Sequence, residues 1–322
     1  MEQIISPVNK QLLKEELQNK SELLRHSRKG GTEIYIFKAQ NCPNLMQEVG
    51  RLREEAFREA GGGTGLSVDI DLYDTMPTPY WQLIVWDPKD EEILGGYRYI
   101  FGPDIQLDQK GQPILATSHM FHFSDKFIRE YMPHMLELGR SFVVVSHQSS
   151  RAGAKSLFTL DNLWDGLGAL AVKLPDCRYY YGKFTMYPSY PTQGRNAILY
   201  FLQKYFPDNE ELVRPYSPLE TNTDEAAMAR LFTGTEFKED YKILNAECRR
   251  LGYSIPPLVN AYMCLSPTMK TFGTAINDEF GDVEESGILI TIADIWAEKH
   301  QRYIESYIDE VNKIVDIIDI VS

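Results

Sequence analysis

The sequence predicts an α/β layered fold on three observations. Apolar runs of strand length alternate with amphipathic helical segments along most of the chain. Two of these runs, 81–86 and 93–100, flank a Pro88-Lys89-Asp90 turn and read as a hairpin, which excludes an all-parallel sheet. The 322 residues, 43% hydrophobic and 25% charged, suffice for one large core or two small ones.

The elements follow in order. Ser6-Pro7 supplies a cap and a first-turn proline for a helix whose stripe is Leu12, Leu13, Leu17, Leu23 and Leu24, ending at Gly30-Gly31. Ile34 to Phe37 is the first expected strand. Pro43 opens a second helix, carrying Leu45, Val49, Leu52, Ala56 and Phe57, and Gly61-Gly62-Gly63 stops it. The hairpin comes next, then a strand at 142–145, a helix at 160–172, a strand at 179–184 and a helix at 193–205. Residues 207–236 are polar and acidic without a period, and are expected to be a surface insertion. A last strand is expected at 288–292. The chain closes on an amphipathic helix with Ile304, Tyr307, Ile308, Val311, Ile314, Val315 and Ile318 at helical spacing.

The net charge of -13 disfavours nonspecific nucleic-acid binding, and no nucleic-acid partner is expected. No apolar run is long enough to span a bilayer and no signal peptide opens the chain, so a cytoplasmic protein is expected. Contact with the inner face of a membrane would be peripheral. Acids on the exposed side of the last helix oppose anionic lipid. That helix is expected to pack on its own domain, with a homodimer contact as the next reading. Cys42, Cys177, Cys248 and Cys264 form no Cys-x-x-Cys pair and read as reduced thiols. His119 and His122 lack nearby ligands, so no metal site is expected.

Glu137-Leu138-Gly139-Arg140-Ser141 leads into the apolar run Phe142 to Val145. A carboxylate and a guanidinium at the lip of a core strand need charge partners. Asp71 and Asp74, Arg98 in Gly95-Gly96-Tyr97-Arg98, and Arg53 four residues before Phe57 can supply them. The ordered set Arg-x-x-x-Phe, Asp-x-x-Asp, Gly-x-Tyr-Arg and Glu-Leu-Gly-Arg-Ser resembles the ornithine and glycine N-acyltransferases of aminolipid synthesis. These are GNAT-like enzymes distantly related to the acyl-homoserine-lactone synthases. Gly252 to Tyr262, with its Pro-Pro-Leu stretch, and Gly273 to Gly281 also resemble the family.

The resemblance implies a GNAT-like fold with a mixed central sheet flanked by helices. It divides the chain into an N-terminal helical extension (1–32), an acyltransferase domain (33–295) and the C-terminal helix (296–322). It implies transfer of a fatty acyl group, often 3-hydroxyacyl, from a thioester to the α-amine of glycine or ornithine. Acyl carrier protein is the expected donor, with acyl-CoA as the alternative, and no permanently bound cofactor is implied. Such a reaction needs a base for the amine, an oxyanion donor and an apolar slot.

Glu137 is the first candidate base and Asp74 the second. Arg98 and Arg140 are charge partners of Asp71, Asp74 and Glu137, or one of them holds the acceptor's carboxylate. Arg53, Phe57 and Trp164 complete the expected substrate-side set, with simple core packing as the plain reading for Phe57 and Trp164. Arg151 and Lys155 are the expected carrier contacts, with Arg25, Arg28, Lys29, Lys173 and Arg178 as further candidates. A lactone synthase using S-adenosylmethionine and a non-catalytic GNAT-fold partner are the competing readings.

Overall fold

The computed structural model describes residues 1–148 and 154–321. In chain order it comprises α1 (Lys10–Asn19), β1 (Glu22–His26), β2 (Glu33–Lys38), α2 (Pro43–Ala60), α3 (Leu72–Thr75), β3 (Trp81–Asp87), β4 (Glu92–Phe101) and β5 (Phe121–Phe123). Then come β6 (Met135–Val143), α4 (Ala154–Lys173), β7 (Tyr179–Met186), α5 (Thr192–Tyr205), β8 (Val213–Pro215), α6 (Glu225–Leu231) and α7 (Phe237–Arg250). Last are α8 (Pro257–Met263), β9 (Lys270–Asn277), β10 (Val283–Thr291), α9 (Ala297–His300) and α10 (Ser306–Val321). The fold is GNAT-like α/β, with helices flanking the sheet.

The chain divides into two compact units. One contains residues 1–105, 134–178 and the chain from Trp296 onward. Its strands run in the order β1-β2-β3-β4-β6, each antiparallel to its neighbour. Successive side chains of β3 face opposite sides. Gln82 meets Arg53 of α2, whereas Leu83 lies against Gly166 of α4. The two helices therefore cover opposite faces. Pro43 starts α2 and Gly61, in the left-handed conformation with φ 97°, ends it.

Glycines set two close approaches in this unit. A Cβ on Gly50 of α2 would lie 2.6 Å from Val68 Cγ2, so only glycine lets the 68–70 segment cross there. A Cβ on Gly96 would lie 2.7 Å from the Leu83 carbonyl oxygen and 2.9 Å from Phe142 Cε1. The C-terminal helix is tied to β1, where the buried Arg25 pairs with Glu310 at 2.9 Å and Tyr307 donates to the Leu24 carbonyl at 3.0 Å.

The second unit contains residues 106–133 and 179–295. It holds the antiparallel set β7-β10-β9, the small ribbon β5-β8 and helices α5 to α8. No helix among the described residues is long and apolar enough to cross a membrane.

Several expectations change. The N-terminal helix ends at Asn19, and Leu23 and Leu24 belong to β1, so residues 1–32 are not all helical. One leucine is exposed and the next buried, which is strand alternation that a short helical stripe mimics. Glu137 lies inside β6 rather than at its lip, and the strand ends at Val143. The 207–236 stretch contains β8 and α6 rather than a bare loop. Its acids staple it, since Glu210 bonds Lys126 at 2.6 Å and Tyr131 at 3.0 Å. Helix α7 and strand β9 were not expected. Gly273, with φ 82°, interrupts the alternation of β9.

Gly96→Ala would force its methyl against the β3 backbone. It is expected to destabilise the protein by about 1–3 kcal/mol, as core overpacking does. Urea denaturation at neutral pH measures this, and an unchanged midpoint would refute the close-approach argument.

Candidate active site

The site is organised by a bulge. Gly96 of β4 opposes Phe142, yet Arg98 opposes Gly139, so β6 carries one extra residue at this point. Arg140 absorbs it with a φ of 48°, a left-handed backbone uncommon for a non-glycine residue. Directly opposed residues share a sheet face. Gln82 opposes Arg98, and Ile100 opposes Glu137. Gln82, Arg98 and Glu137 thus project to the same side, toward α2.

The Asp-x-x-Asp motif is first a backbone device. Asp71 caps the one-turn α3 by accepting from Tyr73 N at 2.9 Å and Asp74 N at 3.3 Å. Asp74 returns the favour by accepting from Asp71 N at 3.2 Å, which completes a capping box. Both carboxylates then meet arginines. Arg98 Nη1 donates to Asp71 at 2.7 and 2.8 Å and to Asp74 at 3.2 Å. Arg53 Nη1 lies 3.3 Å from Asp74, and its Nη2 donates to Gln82. Gln82 closes the ring by donating to Asp74 at 2.9 Å. Beside this ring, Arg140 pairs with Asp69 at 2.9 Å and with Asp71 at 3.5 Å.

These charges are deeply buried. Arg53 and Asp74 are 0% exposed and Arg98 is 2% exposed. Burial alone would push the Asp74 carboxyl up, but the Arg53 and Arg98 guanidiniums outweigh it and hold the group at about 2. Burial pulls Arg53 below the ordinary arginine value despite Asp74. At Arg98 burial acts in the same direction, but Asp74 and Asp71 overcome it and the group is raised. Asp74 is therefore a permanent anion between two cations at neutral pH. That is the state of a structural counter-ion, and it is a poor one for a base.

Glu137 has a partner that is not a member of this ring. Tyr80, immediately before β3, donates its hydroxyl to Glu137 Oε2. Tyr80 is 0% and Glu137 1% exposed. Tyr80 N donates to the Tyr73 carbonyl at 2.9 Å, which hangs the pair from α3.

Seven of the expected residues fall in the first unit with described side chains at or beside the site: Asp71, Asp74, Arg98, Glu137, Arg140, Arg53 and Phe57. Phe57 is a buried core residue of α2. Arg53 is a buried partner of Asp74. Trp164 is buried in α4 with its ring 6.0 Å from Tyr303. Arg151 and the side chain of Lys155 lie outside the described residues. Of the other carrier candidates, Arg25 is buried against Glu310, while Arg28 binds Asp165 at 2.8 Å. His119 and His122 do not converge, since His119 faces Asn277 at 3.2 Å and His122 faces the Tyr216 ring.

Sequence reasoning overlooked Tyr80, Gln82 and Asp69. A signal existed for Gln82, a lone amide inside the apolar run Trp81 to Trp86. Such a residue, when buried, needs partners.

A family model described as an acetyltransferase (GNAT) domain matches residues 52–157, which span the whole ion ring and Glu137. A protein named glycine N(alpha)-acyltransferase from Bacteroides thetaiotaomicron is 62% identical over 309 residues, covering 96% of this chain and 91% of its own. One of the same name from Phocaeicola vulgatus is 58% identical over 310 residues, covering 96% and 95%. The chain belongs to the GNAT-like amino-acid N-acyltransferase family. No solved structure matches it. Membership in the family makes it an amide-forming enzyme that transfers an acyl group to an amino acid.

For this N-acyltransferase, Asp74→Asn would leave the buried Arg53 without its carboxylate partner and Arg98 with Asp71 alone. The expected cost is about 3–5 kcal/mol, read from urea denaturation at pH 7. The sign in pH follows from the lowered carboxyl. In the wild type this contribution is fully present above the ordinary aspartate value of 3.8 and is lost as pH falls through about 2. The variant should lack that acid limb, and equal acid sensitivity in both proteins would contradict the assignment.

Proposed function

We propose that this enzyme transfers a fatty acyl group, in 3-hydroxyacyl form, from the thioester of acyl carrier protein to the α-amine of glycine. The product is an N-acyl glycine that serves as a lipid precursor. Glycine is chosen over ornithine because relatives aligned over nearly the whole chain are named for glycine. The carrier protein as donor rests on the motif resemblance. An acidic carrier would need a cationic landing patch on a chain whose net charge is -13.

The observation that carries the chemistry is the buried Glu137 carboxylate, held by the Tyr80 phenol. Asp74, Arg98 and Arg53 neutralise one another and have the geometry of a scaffold. Glu137 is the carboxylate left to receive the proton of the acceptor's ammonium group. Its burial favours passage through a bridging water over direct contact. The amine nitrogen then attacks the thioester carbon, the C–S bond breaks, and the carrier thiolate leaves and is protonated. The bulge at Arg140 interrupts the regular ladder, so backbone N–H groups there are the candidates for the oxyanion. Arg140 is 13% exposed and Asp71 28% exposed, the most accessible charges of the group, and Arg140 suits the acceptor's carboxylate. Arg98, buried between Asp71 and Asp74, does not.

Glu137→Gln should lower N-acyl glycine formation by about 10²–10⁴-fold while the protein stays folded. The assay combines purified enzyme, glycine and an acyl carrier thioester, with the product read by mass spectrometry. A folded variant with the wild-type rate would remove Glu137 as the base.

A further inference from the structure

We propose that Tyr80 is a positioning residue for Glu137, its phenol holding the carboxylate ionised and aimed for proton transfer. This inference rests on the reaction proposed above. The phenol has one proton to give, and it gives it to Glu137 Oε2. A hydrogen bond donated to a carboxylate favours the charged form over the neutral one. A buried carboxylate needs such support if it is to stand ready as a base.

The ring is not at liberty to turn elsewhere. Its backbone N–H is tied to the Tyr73 carbonyl at 2.9 Å, and the Tyr73 ring meets it edge-on at 5.8 Å. Arg98 lies over the Tyr80 face with its Cζ 5.2 Å from the centroid. A cation on that face draws electron density from the phenol and makes its hydroxyl a stronger donor. Arg98 is itself clamped by Asp71 and Asp74. The ion ring thus reaches Glu137 through Tyr80. Of the charged and titratable groups, Tyr73 from α3 and Arg98 from β4 meet the Tyr80 ring, Asp71 and Asp74 from α3 bond that Arg98, and Arg53 from α2 and Arg140 from β6, with Asp69, bond those aspartates in turn. Through the reaction Tyr80 keeps its proton. The first ammonium proton goes to Glu137 and on to solvent, the C–N bond forms as C–S breaks, and the second proton of the attacking nitrogen passes through Glu137 to the departing thiolate.

The test compares wild type, Tyr80→Phe, Glu137→Gln and the double variant. Tyr80→Phe should lower kcat by about 10–100-fold, within the range of acid–base effects, with KM for glycine nearly unchanged. The acid limb of its kcat/KM profile should move to higher pH. The double variant should be no slower than Glu137→Gln alone, because the phenol acts through the carboxylate. An unmoved acid limb, or a further slowing in the double variant, overturns the proposal. If Tyr80→Phe does not fold, adding Glu137→Gln removes the carboxylate that has lost its phenol and should restore stability, and a double variant no more stable than the single one also overturns it. If wild type forms no N-acyl glycine, the proposed reaction fails. The pairing is then judged by infrared titration of carboxyl-labelled glutamate, taken as the difference from Glu137→Gln. A protonation midpoint unmoved by Tyr80→Phe overturns it.

Discussion

The Asp74 carboxylate between Arg53 and Arg98 is the interaction on which the catalytic half of the structure depends. One buried anion joins α2 through Arg53, β3 through Gln82, β4 through Arg98 and α3 through its own capping box. None of these charges could be buried alone, since each would carry an uncompensated desolvation cost of several kcal/mol. Together they fix a short helix that has little stability of its own. One turn is too short to persist without tertiary support. Fixing α3 fixes Tyr73, which fixes Tyr80, which meets Glu137.

Much of this was legible in the sequence, and the missing part has a physical explanation. Paired charges beside apolar runs announce burial, so Asp71, Asp74, Arg98 and Arg140 could be read as one network before any coordinates. Their exact partners could not. A bulge shifts every later side chain of a strand to the opposite face, and nothing in Gly139-Arg140-Ser141 marks the extra residue. Arg140 sits at that extra residue and pairs with Asp69 and Asp71, which its spacing from Glu137 does not announce. Leu23 and Leu24 fit a helical stripe and a strand equally well over so short a span. The period of α7 is present in Phe237, Tyr241, Leu244 and Cys248, but the surrounding charges and the acidic stretch before it masked it.

Family membership and site geometry bear on different questions. The relatives identify a class of reaction, acyl transfer to an amino acid. The geometry gives the two carboxylates unlike partners. Asp74 is held ionised at about 2 by its arginines and stays charged throughout the physiological range. Glu137 is bonded instead by the Tyr80 phenol, and in the proposed reaction it is the carboxylate that takes the proton. Two carboxylates placed in unlike surroundings on one sheet face can hold a scaffold and run a proton transfer without exchanging roles.

The most direct test of the proposed reaction is mass spectrometry of lipid extracts from cells expressing this chain beside cells carrying an empty vector. The account predicts a new N-acyl glycine series, with 3-hydroxyacyl chains, in the expressing cells alone. A soluble, abundant protein that yields no N-acyl amino acid, or one that acylates ornithine and not glycine, would contradict it.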